Sequence, residues 1–254
     1  MSAQNLAVIA GSGDLPVLVA ERHPEALIIH LGENGAHPGR TGDMLNSLRA
    51  LGITRLCLIG GLKRPSWLSL WPSWESWKLI ARNGFSFAGG DDALLKRLRN
   101  LLENEGFQLV GVQSLCPELL TPEGVMAAPP QPISDEDLSI CMDQAKSFGR
   151  KDKGQAVAIA ERHIVDTEDK KGTNALILRN ARKDAILVKV SKPFQDMDLD
   201  MPTIGPETIE KAGLAGFRAV VLEAGRTLMV DRTRCIELAK THNLGLIGVR
   251  YGDA

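Results

Sequence analysis

The sequence predicts an α/β protein: a Rossmann-like N-terminal domain with a parallel sheet, then a second α/β domain. Three observations lead there. Short runs that are apolar throughout alternate with helical stretches in the first half. A glycine-rich turn follows the first of these runs. A proline-rich segment then interrupts the pattern, and more apolar runs recur beyond it. Strands apolar along their whole length are buried on both faces, as in parallel sheets covered by helices. Strand–helix–strand repetition is the signature of a doubly wound fold.

The first strand is Leu6-Ala7-Val8-Ile9-Ala10, ending at Gly11-Ser12-Gly13. Ala26–Leu31 is the second, Arg55–Gly61 the third and Phe107–Val112 the fourth. Between them, Asp43–Leu51 and Asp91–Glu105 read as helices. In the latter, Leu94, Leu95, Leu98, Leu101 and Leu102 share one face. Ala127-Ala128-Pro129-Pro130-Gln131-Pro132 is the linker, so the domains are expected at 1–133 and 134–254. Ser134, with Asp137 three residues on, caps a helix running to about Phe148. Strands follow at Ala156–Ala160, Ala185–Val190, Ala219–Leu222 and Leu244–Val249.

Composition narrows the function. The 254 residues are 44% hydrophobic and 24% charged, an ordinary globular balance that excludes a disordered or collagen-like chain. Thirty basic against 31 acidic residues give a net charge of −1, which argues against a dedicated nucleic-acid partner. Cys57, Cys116, Cys141 and Cys235 are scattered with no CxxC pair. They read as reduced, mostly buried thiols rather than zinc ligands. No signal-peptide pattern opens the chain and no apolar run approaches the ~20 residues of a membrane span. A cytoplasmic location is expected, with contact to a membrane surface left open.

Several motifs could carry chemistry. Gly11-Ser12-Gly13-Asp14-Leu15-Pro16 sits at a strand-to-helix turn, where backbone N–H groups can approach a phosphate. Pro16 stands where a dinucleotide fingerprint needs its third glycine, so the turn reads as a phosphate contact or simply as a tight turn. Gly60-Gly61-Leu62-Lys63-Arg64-Pro65 follows the third strand, at the sheet edge where open α/β folds bind ligands. There Lys63 and Arg64 could meet an anion or form a solvated basic pair. Asp91 and Asp92, after Gly89-Gly90, read as helix-capping residues. All four tryptophans, Trp67, Trp71, Trp74 and Trp77, share one helical face if Pro72 only kinks or restarts the helix. That stripe belongs to a core or domain interface, or to an apolar surface for lipid.

The richest stretch runs from Lys189 to Pro206. Asp196, Asp198 and Asp200 alternate and in an extended chain would face one side, beside Lys189 and Lys192. Crowded carboxylates call for a cation among them, and an oxygen-ligand ion such as Mg²⁺ fits. With Glu207 the same residues occupy EF-hand positions 1, 3, 5 and 12. Met201 replaces the required glycine and a strand precedes the loop, so that reading is set aside. The five histidines do not cluster, and neither HExxH nor GxSxG occurs.

Five elements in order carry a resemblance: Ile9-Ala10-Gly11-Ser12-Gly13-Asp14-Leu15-Pro16, Gly89-Gly90-Asp91-Asp92, Asp152-Lys153-Gly154-Gln155, Gly172-Thr173-Asn174-Ala175-Leu176, and Lys189-x-x-Lys192-Pro193-x-Gln195-Asp196-x-x-x-Asp200-x-Pro202-x-Ile204-Gly205. Ala212-Gly213-Leu214-Ala215-Gly216 and Glu223-Ala224-Gly225 extend it. The chain resembles the LpxI family, UDP-2,3-diacylglucosamine pyrophosphatases of lipid A biosynthesis. The resemblance implies a Rossmann-like domain joined to a distinctive C-terminal catalytic domain. It also implies Mg²⁺- or Mn²⁺-dependent hydrolysis to UMP and 2,3-diacylglucosamine 1-phosphate, by water attacking the α-phosphorus.

On that basis Asp200 and Asp196 match the family's acidic positions and are expected in the catalytic and metal-binding set, Asp200 first, as metal ligand or base. Lys189 and Lys192 would stabilise phosphate charge. Gly11, Ser12, Gly13, Lys63, Arg64, Gln155, Thr173 and Gln195 would contact the nucleotide-sugar lipid. Peripheral contact with the inner-membrane surface and a homo-oligomer are both compatible with this reading.

Two departures stand out. The family usually reads Glu-Gly-Thr-Asp where this chain has Lys171-Gly172-Thr173-Asn174, and it carries Arg at the position of Asp198. Charge is exchanged between the two motifs, which makes Lys171 and Asp198 an expected compensating pair. The alternative is a diverged protein that binds the nucleotide-sugar lipid without hydrolysing it. A nicotinamide-dependent oxidoreductase rests on the glycine turn alone and ranks below both.

Overall fold

The computed structural model describes residues 5–31, 38–61, 73–84, 91–151, 154–181 and 184–252, with the side chains of Pro38, Asp91 and Asp92 outside that description. Lys63, Arg64, Trp67, Trp71, Gly89, Gly90, Asp152 and Lys153 also lie outside the described residues. The chain divides into two compact units. One is Met1–Pro117 together with Asp196–Asp200; the other is Glu118–Gln195 with Met201–Ala254.

The first unit runs β1 (Leu6–Ala10), α1 (Leu15–Arg22), β2 (Leu27–His30), α2 (Thr41–Ala50), β3 (Arg55–Ile59), α3 (Trp74–Asn83), α4 (Asp91–Asn104), β4 (Gln108–Leu109) and α5 (Val112–Leu115). Its sheet is parallel throughout, in the order β2-β1-β3-β4. Leu6, Ala7, Val8, Leu56 and Cys57 are fully buried, as continuous apolar strands require. Ala7, Ile9, Leu56 and Leu58 pack with Leu45 and Leu48 of α2, Leu79 of α3 and Leu101 and Leu102 of α4. β4 is shorter than the apolar run Phe107–Val112, because Gly111 turns extended and starts α5.

Helix α3 begins at Trp74, where the Ser73 hydroxyl accepts the Ser76 N–H, and ends at Gly84 in the left-handed region. Its inward positions are Ser76 and Leu79, while Trp74 and Trp77 are 72% and 54% exposed. These two tryptophans are therefore not core.

The second unit runs β5 (Gly124–Ala127), α6 (Asp135–Gly149), β6 (Ala156–Ala160), β7 (His163–Thr167), α7 (Gly172–Arg179), β8 (Ile186–Lys189), β9 (Thr203–Ile204), α8 (Pro206–Leu214), β10 (Ala219–Glu223), β11 (Leu228–Met229), α9 (Arg232–Thr241) and β12 (Gly245–Val249). Six strands form a mixed sheet, β5-β12-β10-β8-β6-β7, with β8, β10 and β12 parallel at its centre. Successive strand residues face opposite sides. Ala158, Leu187, Val220, Leu222 and Leu246 face α7, α8 and α9; Val157, Ile159, Val188, Val221 and Ile247 face α6. Ser134 caps α6 as expected, its hydroxyl accepting the Asp137 N–H at 3.1 Å.

This unit begins at Glu118, ahead of the expected boundary at 133/134. The difference is β5, which precedes the proline-rich linker yet pairs antiparallel with β12. Its four residues, with Val125 exposed at the sheet edge, give no periodic signal, and its partner lies at the far end of the chain.

Candidate functional site

In an open α/β sheet the carboxyl ends of the parallel strands form the ligand-binding edge. In the second unit that edge is marked by Lys189 and Glu223, the last residues of β8 and β10. β6 runs antiparallel to β8, with Ala156 opposite Lys189, so Gln155 arrives at the same edge. β7 ends there too, and its continuation starts α7 at Gly172, whose φ of +81° suits glycine.

The motif residues on this edge are wired together. Lys189 Nζ donates to Thr173 Oγ1 at 3.0 Å, and Thr173 Oγ1 donates to Glu168 Oε1 at 2.6 Å. Glu168 Oε2 accepts the Gln155 N–H at 2.8 Å. A single carboxylate thus aligns three of the predicted residues: Lys189, Thr173 and Gln155. Beside them, in the first turn of α7, Asn174 Nδ2 donates to Glu207 Oε1 at 3.2 Å. Its buried Oδ1 finds no hydrogen-bond partner among the described residues. Lys192 and Gln195 form a second group: the Lys192 N–H donates to Gln195 Oε1 at 2.8 Å, and the Gln195 N–H returns to the Lys192 carbonyl at 3.1 Å. Phe194 between them is 78% exposed.

In the first unit, Gly11, Ser12 and Gly13 form the turn from β1 into α1, and Gly60-Gly61 follow β3 directly alongside. Ser12 and Gly61 exchange backbone hydrogen bonds of 3.1 and 2.8 Å, and the Gly11 N–H donates to Ile59. A Cβ on Gly11 would sit 2.6 Å from the Gly61 carbonyl oxygen, and Gly60 has φ +88°. The glycines here serve the close approach of two backbones, and the Gly11 and Ser12 amides are used within the turn.

The aspartate segment is compact rather than extended. Leu199 and Asp200 both donate N–H groups to the Asp196 carbonyl, at 3.1 and 2.8 Å, and Leu199 packs against the core of the first unit. The turn still gathers carboxylates, but around a cation from the protein. Arg99 on α4 donates to both oxygens of Asp196 and, at 2.9 Å, to Asp198 Oδ2. Gln113 donates to Asp198 Oδ1 at 2.9 Å. Burial opposes the charge on Asp196, but the Arg99 hydrogen bonds prevail and hold its carboxyl below the usual range. The cation at Asp198 is therefore Arg99, in place of the expected Lys171.

This arrangement bears on a divalent ion. Both oxygens of Asp196 already contact a guanidinium, and no group of three or more His, Cys, Asp or Glu side chains among the described residues is placed to hold a metal. Asp196 does not fit the ligand role. Asp200, half-buried at the end of the turn, presents a hard carboxylate of the kind Mg²⁺ shares with substrate phosphates.

Glu168, Arg99 and Lys146 were not singled out from sequence, and Glu223 entered only within the Glu223-Ala224-Gly225 stretch, without a role. Lys146 carried a signal, since it shares the buried face of α6 with Met142 and Ala145. Glu168 and Arg99 gain their partners only through the fold.

Comparison with known proteins gives a consistent result. The LpxI N-terminal domain profile matches residues 5–119, and the LpxI C-terminal domain profile matches residues 122–247. The UDP-2,3-diacylglucosamine pyrophosphatase LpxI of Caulobacter vibrioides is 32% identical, over 97% of this chain and 98% of that protein.

Proposed function

Since the chain belongs to the LpxI family, we propose that it hydrolyses the pyrophosphate of UDP-2,3-diacylglucosamine in lipid A biosynthesis. The observation that carries the reading is the chain Lys189–Thr173–Glu168–Gln155 along the carboxyl edge of the sheet. It holds a lysine and a hydroxyl where an open α/β sheet meets its ligand.

In the proposed reaction a water oxygen bonds to the α-phosphorus. The bond from that phosphorus to the bridging oxygen breaks, and the bridging oxygen leaves with the sugar phosphate. UMP and 2,3-diacylglucosamine 1-phosphate result. Asp200 accepts the proton of the attacking water. Lys189 and Lys192 offset charge that accumulates on the phosphate oxygens, the electrostatic help such transfers need most. Thr173, Gln155 and Gln195 orient the pyrophosphate. Mg²⁺ or Mn²⁺, held by Asp200 together with the substrate phosphates, would supply further charge neutralisation. Asp196 serves by pairing with Arg99.

A diacylated substrate resides in a membrane, and among the described residues no helix is long and apolar enough to cross one. We place the protein on the cytoplasmic face of the inner membrane as a peripheral visitor. The exposed Trp74 and Trp77 support this, because tryptophan favours the boundary between apolar and aqueous phases. Phe194, two residues after Lys192, offers apolar surface for an acyl chain.

One observation favours a second reading. Asn174 stands where the family carries an acid, and its buried Oδ1 has no partner among the described residues. A site altered there would bind the nucleotide-sugar lipid without cleaving it. Incubation with UDP-2,3-diacylglucosamine, with and without a chelator, separates the two by mass spectrometry. UMP and the lipid monophosphate, lost on chelation and restored by Mg²⁺ or Mn²⁺, support hydrolysis. Saturable binding without product supports the second reading.

A further inference from the structure

Glu223 ends β10 and is 0% exposed. Its Oε2 accepts two hydrogen bonds of 2.8 Å, one from the Ser191 N–H and one from the Ser191 hydroxyl. Its Oε1 lies 2.6 Å from Lys146 Nζ, on the inner face of α6, and 3.4 Å from Arg226 Nε. The two cations also reach Ser191. Lys146 Nζ donates to the Ser191 carbonyl at 3.1 Å and to Oγ at 3.2 Å, and Arg226 Nε donates to Oγ at 2.9 Å. The hydroxyl thus donates once and accepts twice, its full capacity. Every polar group of Ser191 is fixed by three charged side chains.

Burying such a cluster is costly, and an apolar packing of the same volume would stabilise the fold as well or better. What the cluster provides is a fixed location for one residue. Ser191 precedes Lys192, whose own N–H is held by Gln195. With Ser191 clamped on one side and Gln195 on the other, the Lys192 backbone has a single placement just beyond the carboxyl end of β8.

We infer that Glu223 is a positioning residue: through Ser191 it sets Lys192 for the pyrophosphate, with Lys146 and Arg226 as its counter-ions. This rests on the proposed role of Lys192 in phosphate binding. Glu223 touches no reacting atom. Its removal acts on the alignment of Lys192 with the transferring phosphoryl group, where a small misplacement costs about 100-fold in rate.

The test compares wild type, Glu223→Gln and Ser191→Ala by circular dichroism, turnover and hydrogen exchange of the Ser191 and Lys192 amides. For folded Glu223→Gln, kcat should fall about 100-fold with little change in KM, and the Ser191 amide should exchange faster while amides of β12 keep wild-type protection. A folded Glu223→Gln variant with unchanged kcat, or with unchanged Ser191 exchange, overturns the inference. Should Glu223→Gln fail to fold, Ser191→Ala decides: it keeps the Glu223–Lys146 ion contact and removes only the hub hydroxyl. A fall in kcat at constant KM then supports the positioning role, and full activity refutes it. Wild type that gives no turnover removes the proposed function instead, and the exchange comparison alone still decides whether Glu223 fixes Ser191.

Discussion

Arg99 grips Asp196 through two of its nitrogens, and the same guanidinium reaches Asp198 at 2.9 Å. Three like charges within five residues are tolerable because α4 supplies the counter-charge. The pairing lowers the Asp196 pKa against the opposing effect of burial. Above the ordinary aspartate value of about 3.9 the carboxylate is ionised in both states, and the pair contributes its full stability. As pH falls through the depressed folded value, the folded protein takes up the proton and the contribution disappears. Arg99→Met should destabilise by about 1.5–3 kcal/mol at neutral pH, the range for hydrogen bonds to charged groups. Urea titrations of both proteins should show that gap shrinking as pH falls below about 4.

Thr173 links Lys189 to Glu168, so removing either the hydroxyl or the carboxylate cuts the same chain. Thr173→Val and Glu168→Gln should each lower kcat by about 10–100-fold. Combining them should cost little more than the worse single change, since partners in one network are not additive. Steady-state kinetics on the four proteins checks this.

None of the four cysteines forms a disulfide, and all are buried. Burial pushes the thiols of Cys57 and Cys235 up to about 12 and that of Cys141 up to about 11. The thiolate is the reactive form, so a disulfide reagent at about pH 8 should titrate almost no thiol in the native protein. All four should react in denaturant.

Trp74 and Trp77 lie outward on α3, with Lys78 stacked over the Trp74 ring at 5.5 Å. If this face meets lipid, Trp74→Ala/Trp77→Ala should weaken co-sedimentation with anionic vesicles on the order of 10-fold, in proportion to the apolar area lost. Turnover of detergent-dispersed substrate should hardly change.

Much of this molecule is legible from its chain, and the exceptions have physical causes. β1 and β6 are apolar throughout, and β3 and β10 carry a charge only at one end, so their runs stand out. Ser134 announces α6 through local hydrogen bonds alone. β5, β9 and β11 are short and owe their existence to partners distant in sequence, so no local pattern marks them. The site divides along the same line. Lys189, Thr173 and Gln155 share motif spacing and meet at one carboxylate. That carboxylate, Glu168, is a loop residue whose role is created by tertiary contact. The alternation of Asp196, Asp198 and Asp200 suggested an extended strand, whereas Leu199 turns into the core and folds the segment into a turn.

The most direct measurement of the central claim is turnover of UDP-2,3-diacylglucosamine by wild type and Asp200→Ala, prepared together and matched by circular dichroism. The account predicts UMP and 2,3-diacylglucosamine 1-phosphate from wild type, and a loss of at least about 1,000-fold in the variant at unchanged fold, as for a group that both moves a proton and holds charge. Comparable turnover by the folded variant, or no UMP from wild type with either Mg²⁺ or Mn²⁺, would contradict it.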